Sequence, residues 1–258
     1  MPIQSKVSII TVVYNGIAHL EQTIKNVIYQ TYTNIEYIII DGGSTDGTVE
    51  LLKKYDEHID FWISEEDSGI YNAMNKGIAK ATGEIVGLIN ADDWYEEDAV
   101  AQVVQTFLES DADVVHGSMR IINENENSFV KKVDKELHNI QKGMLLNHPT
   151  VFAKSALYEQ YGLFNLSYKI VADWEMMVRW HLSSVKFVGI EKTLANFRMG
   201  GVSSAHLKIS FKEKHTVRVS HGLIKIVDWY FVYDKLKSVL PGNVLLDISL
   251  MRQKRLDS

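Results

Sequence analysis

The 258-residue sequence has no cysteine, which excludes disulfides, thiolate metal sites and a cysteine nucleophile. It has three prolines and no glycine-, serine- or proline-rich linker between two halves. The apolar run near the amino terminus, about seven residues, is too short for a signal peptide. No stretch approaches the ~20 apolar residues of a membrane span. We therefore expect a cytoplasmic protein of one large domain or two small fused ones.

The net charge of −6 disfavours sequence-independent nucleic-acid binding, so we expect no nucleic-acid partner. Residues 208–258 carry a net charge of +5, whereas residues 1–207 carry −11. The basic part includes LIKIVDWYFVYDKLKSVL, which mixes apolar and aromatic residues with lysines. Two interpretations stay open. This segment is either a helix packed on the domain or a peripheral contact with the anionic inner face of the cell membrane.

The first 116 residues alternate between apolar strands and amphipathic helices, which predicts an α/β fold with a parallel sheet covered on both faces. The predicted strands are KVSIITVV, IEYIIID, FWIS, EIVGLIN and ADVVHG. The predicted helices are 18–30, TVELLKKY with Ser44 as its N-cap, 69–81 and DAVAQVVQTFLES.

The pattern changes after residue 117. We expect a hairpin over SMRIINENENSFVKKV, helices around 138–146, 155–161 and 173–184, and two strands, KFVGI and TLANFR. The predicted organisation is a nucleotide-binding half over 1–117, a second half of the same domain over 118–206, and a helical basic tail over 207–258.

Polar residues follow four of the predicted strands, at the edge where ligands bind in open α/β sheets. These segments are Tyr14–Gly16, Asp41–Gly47, Glu65–Gly69 and Asn90–Asp93. Converging carboxylates repel one another unless a cation or hydrogen-bond donors meet them. Oxygen ligands suit Mg²⁺ or Mn²⁺ better than zinc, so the pattern indicates a divalent ion beside a mononucleotide diphosphate.

Several competing motifs are absent. The sequence has no G-x-G-x-x-G, no Walker lysine after DGGSTDGT, no G-x-S-x-G and no H-E-x-x-H. The ordered set SIITVVYN, DGGSTDGT, EDSGIYNAMNKGIAKATGE, LINADDW and VADWE instead resembles the inverting family 2 glycosyltransferases of the GT-A fold, over residues 5–205. The resemblance implies a mostly parallel central sheet flanked by helices. It also implies sugar transfer from a nucleotide-diphosphate donor, expected to be UDP-linked, with Mg²⁺ or Mn²⁺.

The resemblance also implies which residues bind the donor. It places the nucleotide base and ribose against strand ends and the diphosphate near a lysine and a late arginine. Asp41 would accept the imino N–H of uracil, although a carboxylate beside a helix dipole is the alternative. Instead of contacting the nucleotide, Tyr14 could lie at the rim of the domain and Lys76 could be a solvated lysine on a helix. The implied donor-binding residues are Thr11, Val13, Tyr14, Asn15, Asp41, Asp67, Asn75, Lys76, Asn90, Ala91, Asp92 and Arg198.

Asn90-Ala91-Asp92 matches the family's D-x-D motif, with asparagine at the first position. By resemblance, Asn90 would contact ribose and Asp92 would bind the metal ion. The change to Asn90 lowers the negative charge at this turn. Asp93 either assists the site or caps the next helix.

Asp173 in VADWE matches the family's catalytic aspartate, the base that deprotonates the acceptor hydroxyl. A helix-capping role is compatible with it, and Glu175 is the alternative base. Trp174 either packs in the core or stacks on the acceptor sugar. His148 resembles a histidine of the acceptor side, and Arg198 with Ser203 resembles a loop that closes over the diphosphate.

The expected reaction is transfer of a single sugar to a glycan or a lipid-linked saccharide, polyprenyl-diphosphate-linked acceptors included, in surface polysaccharide synthesis. The processive members of the family carry Q-x-x-R-W, and MMVRW here lacks the glutamine. Two alternatives stay open, a sugar nucleotidyltransferase and a decayed sugar-nucleotide or glycan binder. YNGIAHLEQ lacks the glycine-rich basic loop of a nucleotidyltransferase, and intact Asp92 and Asp173 argue against decay.

Overall fold

A computed structural model describes residues 5–123, 125–137, 140, 143, 146–200 and 207–223. The chain divides into two units, Met1–Gly201 and Val202–Ser258. The described part of the second unit contains one helix, Leu207–Ser220, which we call α7. This helix falls in the predicted helical tail. The segment 224–240, on which the membrane interpretation depends, lies outside the described residues.

In the first unit, strands and helices alternate along the first half of the chain, and a second group of strands and helices follows. Its elements are β1 (Val7–Val13), α1 (Ile17–Ile28), β2 (Ile35–Asp41), α2 (Thr48–Lys54), β3 (Phe61–Ser64), α3 (Ile70–Lys80), β4 (Ile85–Asn90), β5 (Trp94–Tyr95), α4 (Ala99–Glu109), β6 (Val114–Ile122), β7 (Ser128–Lys131), β8 (Phe152–Lys154), α5 (Ala156–Tyr161), α6 (Ala172–Leu182) and β9 (Phe187–Arg198). Short 3₁₀ turns span Asp56–His58 and His148–Thr150.

The strands form one sheet in the order β3-β2-β1-β4-β8-β6-β9-β5, with β7 paired to β6. Strands β1 to β4 are parallel, as the apolar runs predict. The second half adds antiparallel pairs, because β8 runs against both β4 and β6. The α/β fold class is therefore confirmed, and its sheet is mixed.

The prediction of two strands over KFVGI and TLANFR is wrong, because both segments belong to one strand, β9. Strand β9 pairs in parallel with β6, and the pairing register shifts near Gly117. The predicted hairpin is confirmed as β6 and β7. The division between residues 117 and 118 stays a prediction, and β6 runs across that position. The predicted helix over 138–146 falls largely outside the described residues. Among described residues, no helix is long and apolar enough to cross a bilayer.

Strand β1 lies at the centre of the core, and all seven of its residues are buried. Helix α1 covers one face with Leu20, Ile24 and Val27, at the spacing of a single helical stripe. Helix α3 lies close to β1 at Gly77, where an added Cβ would overlap Cγ2 of Ile10. The missing side chain at Gly77 therefore sets how closely α3 approaches the sheet.

A buried carboxylate ties together the amino-terminal ends of β1 and β2. Glu36 is 7% exposed and lies opposite Ser8 in the strand register. It accepts hydrogen bonds from Lys6 Nζ at 2.7 Å, from Ser8 Oγ at 2.5 Å and from the Thr82 N–H at 2.7 Å. Burial alone would raise the pKa of Glu36, but these hydrogen bonds outweigh it and hold the pKa at about 2.

We expect Glu36→Gln to lower the free energy of unfolding at pH 7 by about 2 kcal/mol, since it removes a charge-assisted network. The folded-state pKa lies below the unfolded value of about 4.3. The contribution of Glu36 is therefore complete above the unfolded pKa and is lost as the pH falls toward 2. Urea unfolding at pH 7 and pH 3 measures this. The variant should lose less stability on acidification than the wild type, whereas the exposed control Glu50→Gln should match the wild type.

Candidate active site

The carboxyl ends of β1, β2 and β4 meet at one edge of the sheet. In the strand register, Val13 lies beside Asp41 and Val12 lies beside Asn90. The predicted polar segments that follow these strands are thereby brought together. This confirms the sheet edge that the strand pattern predicts.

The loops after β1 and β2 are joined by direct hydrogen bonds. The Asn15 N–H donates to Ser44 Oγ at 2.7 Å, and the Thr45 N–H donates to Asn15 Oδ1 at 2.9 Å. The Ile17 N–H donates to Asp46 Oδ2 at 3.0 Å. Asn15 has a φ of 50°, a conformation that asparagine tolerates better than most residues. The side chain of Asn15 therefore organises the loop on which Tyr14 is carried.

Asp41 is completely buried and holds the loop that follows β2. Its Oδ2 accepts the N–H groups of Gly43 at 3.1 Å and Ser44 at 2.9 Å, and the Ser64 hydroxyl at 2.6 Å. The Ser44 hydroxyl donates to Oδ1. The prediction that Ser44 caps α2 is wrong, because that helix begins at Thr48 and its first N–H donates to Asp46 Oδ1. A contact of Asp41 with the nucleotide base stays a prediction.

The side chains of Tyr14 and Asp67 both lie close to the backbone of Gly42. The Tyr14 ring is 69% exposed at the end of β1. An added Cβ on Gly42 would lie 2.7 Å from Asp67 Oδ2 and 3.4 Å from Tyr14 Cδ2. Asp67 is half-buried and its Oδ1 accepts the Gly69 N–H at 2.7 Å. An aromatic ring, a carboxylate and a bare backbone therefore meet at this edge.

Three of the predicted donor-binding residues lie beneath this surface. Thr11 is completely buried, and its hydroxyl is 3.1 Å from the Tyr37 hydroxyl. Val13 and Ala91 are buried, and an added Cβ at Gly16 would contact both of them. The structure thus makes these side chains supports of the site, and their contact with a nucleotide stays a prediction.

The turn after β4 presents one carboxylate to solvent and buries its neighbour. Asp92 is half-buried, whereas Asp93 is completely buried and accepts the Arg198 N–H at 3.0 Å. The Thr23 hydroxyl contacts the carbonyl oxygens of Ala91 at 2.9 Å and Asp93 at 2.8 Å. Burial, with the nearby Asp92 carboxylate, raises the pKa of Asp93 to about 8. Asp93 therefore fixes the turn and the end of β9.

Asn90 carries an unusual buried atom at the same turn. Its Nδ2 lies 3.4 Å from Asp93 Oδ2, while its Oδ1 is buried and has no hydrogen-bond partner within the described part of the chain. A buried polar oxygen without a partner is costly. The Asn90 amide is therefore held in place by Asp93, and its Oδ1 is available to accept a hydrogen bond.

Arg198 lies beside this turn, and its contact with a diphosphate stays a prediction. Its guanidinium carbon is 5.2 Å from the centroid of the Trp94 ring, and its NH2 group donates to Gln22 Oε1 at 3.3 Å. Stacking on an aromatic face is a common way to orient an arginine. Ser203, which the sequence groups with Arg198, lies outside the described residues.

The two predicted residues on α3 make other contacts in the structure. Lys76 forms an ion pair with Glu65 at 2.7 Å and donates to the Glu66 carbonyl at 3.1 Å. Asn75 donates to the Phe164 carbonyl at 2.9 Å and accepts the Phe164 N–H at 3.0 Å. Asn75 thus joins α3 to the segment before α6, and contact of either residue with a diphosphate stays a prediction.

Asp173 lies in the first turn of α6 and is half-buried. Its Oδ1 accepts the Tyr71 hydroxyl at 3.0 Å and the Trp174 N–H at 2.8 Å. Tyr71 is in the first turn of α3, which follows the carboxyl end of β3. This hydrogen bond therefore brings Asp173 to the same edge of the sheet as the donor-side loops.

The neighbours of Asp173 have distinct environments. His148 lies close to it and contacts Phe164 edge-on at 6.1 Å between ring centroids. Burial lowers the pKa of His148, although the Asp173 carboxylate opposes the shift. Trp174 is buried and donates from Nε1 to the Ile140 carbonyl at 2.6 Å. Glu175 is buried and forms an ion pair with Arg179 at 3.2 Å, so its carboxylate is already engaged.

Sequence reasoning did not identify three residues that shape this region: Gly42, Tyr71 and Trp94. A signal for Tyr71 is present, because it precedes Asn75 by four residues and both would lie on one face of α3. Gly42 and Trp94 gave no comparable signal. Their roles depend on neighbours that are distant in sequence.

Comparison with known proteins gives a consistent result. The family model described as glycosyl transferase family 2 matches residues 8–164. An uncharacterised glycosyltransferase of Mycobacterium tuberculosis is 33% identical over 205 residues, which cover 77% of each chain. Glycosyltransferase GlyA of Streptococcus pneumoniae is 34% identical over 131 residues, which are 50% of this chain and 19% of that relative's length.

Two solved structures share the fold. S. aureus TarS 1–349 in complex with UDP-GlcNAc superposes with a TM-score of 0.67 at 18% identity, covering 82% of this chain and 66% of that one. The mannosyltransferase PcManGT from Pyrobaculum calidifontis, in complex with GDP-Man and Mn²⁺, gives a TM-score of 0.63 at 18% identity, covering 89% and 68%. The sheet edge, its loops and these relationships together establish that the chain belongs to glycosyl transferase family 2.

Proposed function

We propose that this chain transfers one sugar from a UDP-linked donor to a hydroxyl of a saccharide acceptor, with inversion at the transferred carbon. The observation that carries the proposal is the position of Asp173 at the sheet edge, where Tyr71 and the Trp174 N–H both bind its Oδ1. A half-buried carboxylate oriented by two donors is suited to accept a proton. Family membership supports sugar transfer over nucleotidyl transfer.

We assign the donor's base to the surface formed by Tyr14, Gly42 and Asp67. A planar heterocycle can stack on the exposed Tyr14 ring, and the carboxylate of Asp67 can accept its polar hydrogens. The absence of a side chain at Gly42 lets the Asp67 carboxylate lie against the backbone beside Tyr14. TarS, which was crystallised with UDP-GlcNAc, and PcManGT, with GDP-Man, support a nucleotide-sugar donor.

A divalent ion, Mg²⁺ or Mn²⁺, fits the turn at Asp92. Within the described ranges no group of three or more acidic or histidine side chains could hold a metal ion. Mg²⁺ commonly binds through one or two carboxylates and takes its other ligands from substrate phosphates and water. The half-exposed Asp92 suits that mode, and the bound ion would stabilise negative charge on the leaving diphosphate.

These positions support the following transfer step. The acceptor hydroxyl gives its proton to Asp173, and its oxygen forms a bond to the anomeric carbon of the donor sugar. The bond from that carbon to the diphosphate oxygen breaks, and UDP leaves with the electron pair. Arg198, oriented by Trp94, stabilises the charge on the diphosphate. A single displacement of this kind inverts the configuration.

We expect Gly42→Ala to weaken UDP binding about tenfold while the protein stays folded. The new methyl group would overlap the Asp67 carboxylate at 2.7 Å, and that flexible carboxylate can move away from it. The movement displaces the proposed acceptor for the base from its place beside Tyr14. Calorimetric titration with UDP measures the effect. Unchanged affinity would show that the base binds elsewhere.

The acceptor is a glycan or a lipid-linked saccharide of surface polysaccharide synthesis. A relative of Mycobacterium bovis named as a PGL/p-HBAD biosynthesis glycosyltransferase, 29% identical over 177 residues, supports a biosynthetic role. The acceptor side carries His148 and the buried Phe164 close to Asp173. Contact with the inner face of the cell membrane through the basic tail stays a prediction.

The test is a donor screen with UDP-, GDP- and dTDP-sugars, saccharide acceptors and Mn²⁺ or Mg²⁺, followed by anomeric analysis of the product. The proposal predicts release of UDP, dependence on the divalent ion, and an inverted product. Pyrophosphate release from a nucleoside triphosphate and a sugar phosphate would instead assign a nucleotidyltransferase. A retained configuration would contradict the single displacement.

A further inference from the structure

Among the described residues of α3, Tyr71 is the one whose side chain is seen to contact the Asp173 carboxylate. Its side chain is 8% exposed, and its hydroxyl lies 2.8 Å from the Ile170 carbonyl and 3.0 Å from Asp173 Oδ1. The ring packs on Phe164 with 5.3 Å between centroids. The ring thus fixes where the hydroxyl lies, and the hydroxyl reaches the carboxylate.

Packing alone does not need this hydroxyl. A phenylalanine would keep the contact with Phe164 and would bury no polar atom. The observed hydroxyl shares its proton between a carbonyl oxygen just before α6 and a carboxylate oxygen in its first turn. Such an arrangement holds the backbone at Ile170 and the Asp173 side chain in one fixed relation.

The two described donors to Asp173 act on the same oxygen. The Trp174 N–H and the Tyr71 hydroxyl both end on Oδ1, from the carboxylate's own helix and from α3. Two donors on one oxygen fix the plane of the carboxylate and direct Oδ2 away from them. The other nearby carboxylate, Glu175, is instead bound to Arg179.

We propose that Tyr71 is a positioning residue, which holds Oδ1 of Asp173 so that Oδ2 faces the acceptor hydroxyl. This inference rests on the proposed function, because it takes Asp173 as the base. Helix α3 begins directly after Gly69, whose N–H binds Asp67. The helix that follows the donor-side loop therefore also sets the orientation of the base.

The test is Tyr71→Phe in the full chain, with a donor and acceptor that the wild type uses. Loss of a hydrogen bond to a charged group is expected to lower kcat about 10- to 100-fold. The KM values and the UDP affinity should change less than about threefold, since the hydroxyl is bound within the protein to Ile170 and Asp173. A large loss of UDP affinity with unchanged kcat would overturn the proposal.

Tyr32→Phe is the matched control. Tyr32 is also a buried residue, and its hydroxyl donates to a backbone carbonyl, that of Ser5, at the opposite end of the sheet. This variant loses a comparable bond and should keep the wild-type kcat. An equal fall of kcat in both variants would assign the Tyr71 effect to general stability and would overturn the proposal.

A double-mutant cycle separates positioning from packing. In the Asp173→Asn background, Tyr71→Phe should change the residual rate less than about twofold, because the group it positions is gone. A further loss as large as in the wild-type background would overturn the proposal. If Asp173→Asn itself retained wild-type turnover, the proposed function would fail instead, so the two failures are distinguishable.

Discussion

Asp173→Asn is expected to lower kcat about 10²- to 10⁴-fold, the usual contribution of a positioned general base. Asparagine has nearly the same shape, and its carbonyl oxygen can still accept the Tyr71 hydroxyl and the Trp174 N–H. The amide cannot take the proton of the acceptor hydroxyl. UDP affinity should stay within about twofold of the wild type, because Asp173 is assigned to the acceptor and not to the nucleotide.

Glu175→Gln gives the comparison that separates the two carboxylates of VADWE. Glu175 is buried and paired with Arg179, whose half-buried guanidinium also donates to the carbonyl oxygens of Tyr161, Gly162 and Leu163. The substitution therefore removes the charged partner of that guanidinium and leaves its backbone partners in place. We expect a lower thermal midpoint and a kcat that falls less than about tenfold in the folded fraction. If Glu175→Gln were inactive while Asp173→Asn stayed active, the base would be Glu175 and not Asp173.

Asp92→Asn is expected to lower kcat/KM by about 10³-fold and to remove the effect of Mn²⁺ on UDP binding. The amide is a weaker ligand for a divalent ion than a carboxylate, and no cluster of other candidate ligands exists in the described part of the chain to replace it. UDP titrations with and without Mn²⁺, followed by donor kinetics, measure both effects. A variant whose UDP affinity still rises with Mn²⁺ would contradict the assignment.

Asp93→Asn is the matched control for that prediction. Asp93 is completely buried, and its Oδ1 is taken by the Arg198 N–H, so it does not face a ligand at the surface. The variant should keep the Mn²⁺ dependence of UDP binding and lose some thermal stability. If Asp93→Asn lost the metal effect and Asp92→Asn kept it, the metal ligand would be Asp93.

The sequence predicts those features of the site that depend on strand ends. Asp41, Asn90 and Asp92 each follow an apolar run, and the parallel order of β1, β2 and β4 brings them to one edge. VADWE predicts a helix that starts at Asp173, and α6 begins beside it at Ala172. The positions of these residues are predicted correctly because local pattern and sheet topology determine them, while their roles stay predictions.

The sequence does not reveal which polar groups already bind one another. Ser44 has the spacing of an N-cap, yet it binds Asp41, since that buried carboxylate needs donors from its own loop. Asn75 is implied as a donor contact, yet its amide binds the backbone of Phe164, 89 residues away. Tyr71 reaches Asp173 across 102 residues. Such pairings depend on the packed structure.

The proposed function requires that this sheet edge bind a nucleoside diphosphate together with a divalent ion. The decisive measurement is calorimetric titration of the wild-type protein with UDP, in the presence and absence of Mn²⁺, with GDP and dTDP as comparisons. We expect that UDP binds, that Mn²⁺ strengthens the binding, and that Asp92→Asn removes the strengthening. If folded wild-type protein binds none of the three nucleotides with Mn²⁺ present, the proposed function is wrong.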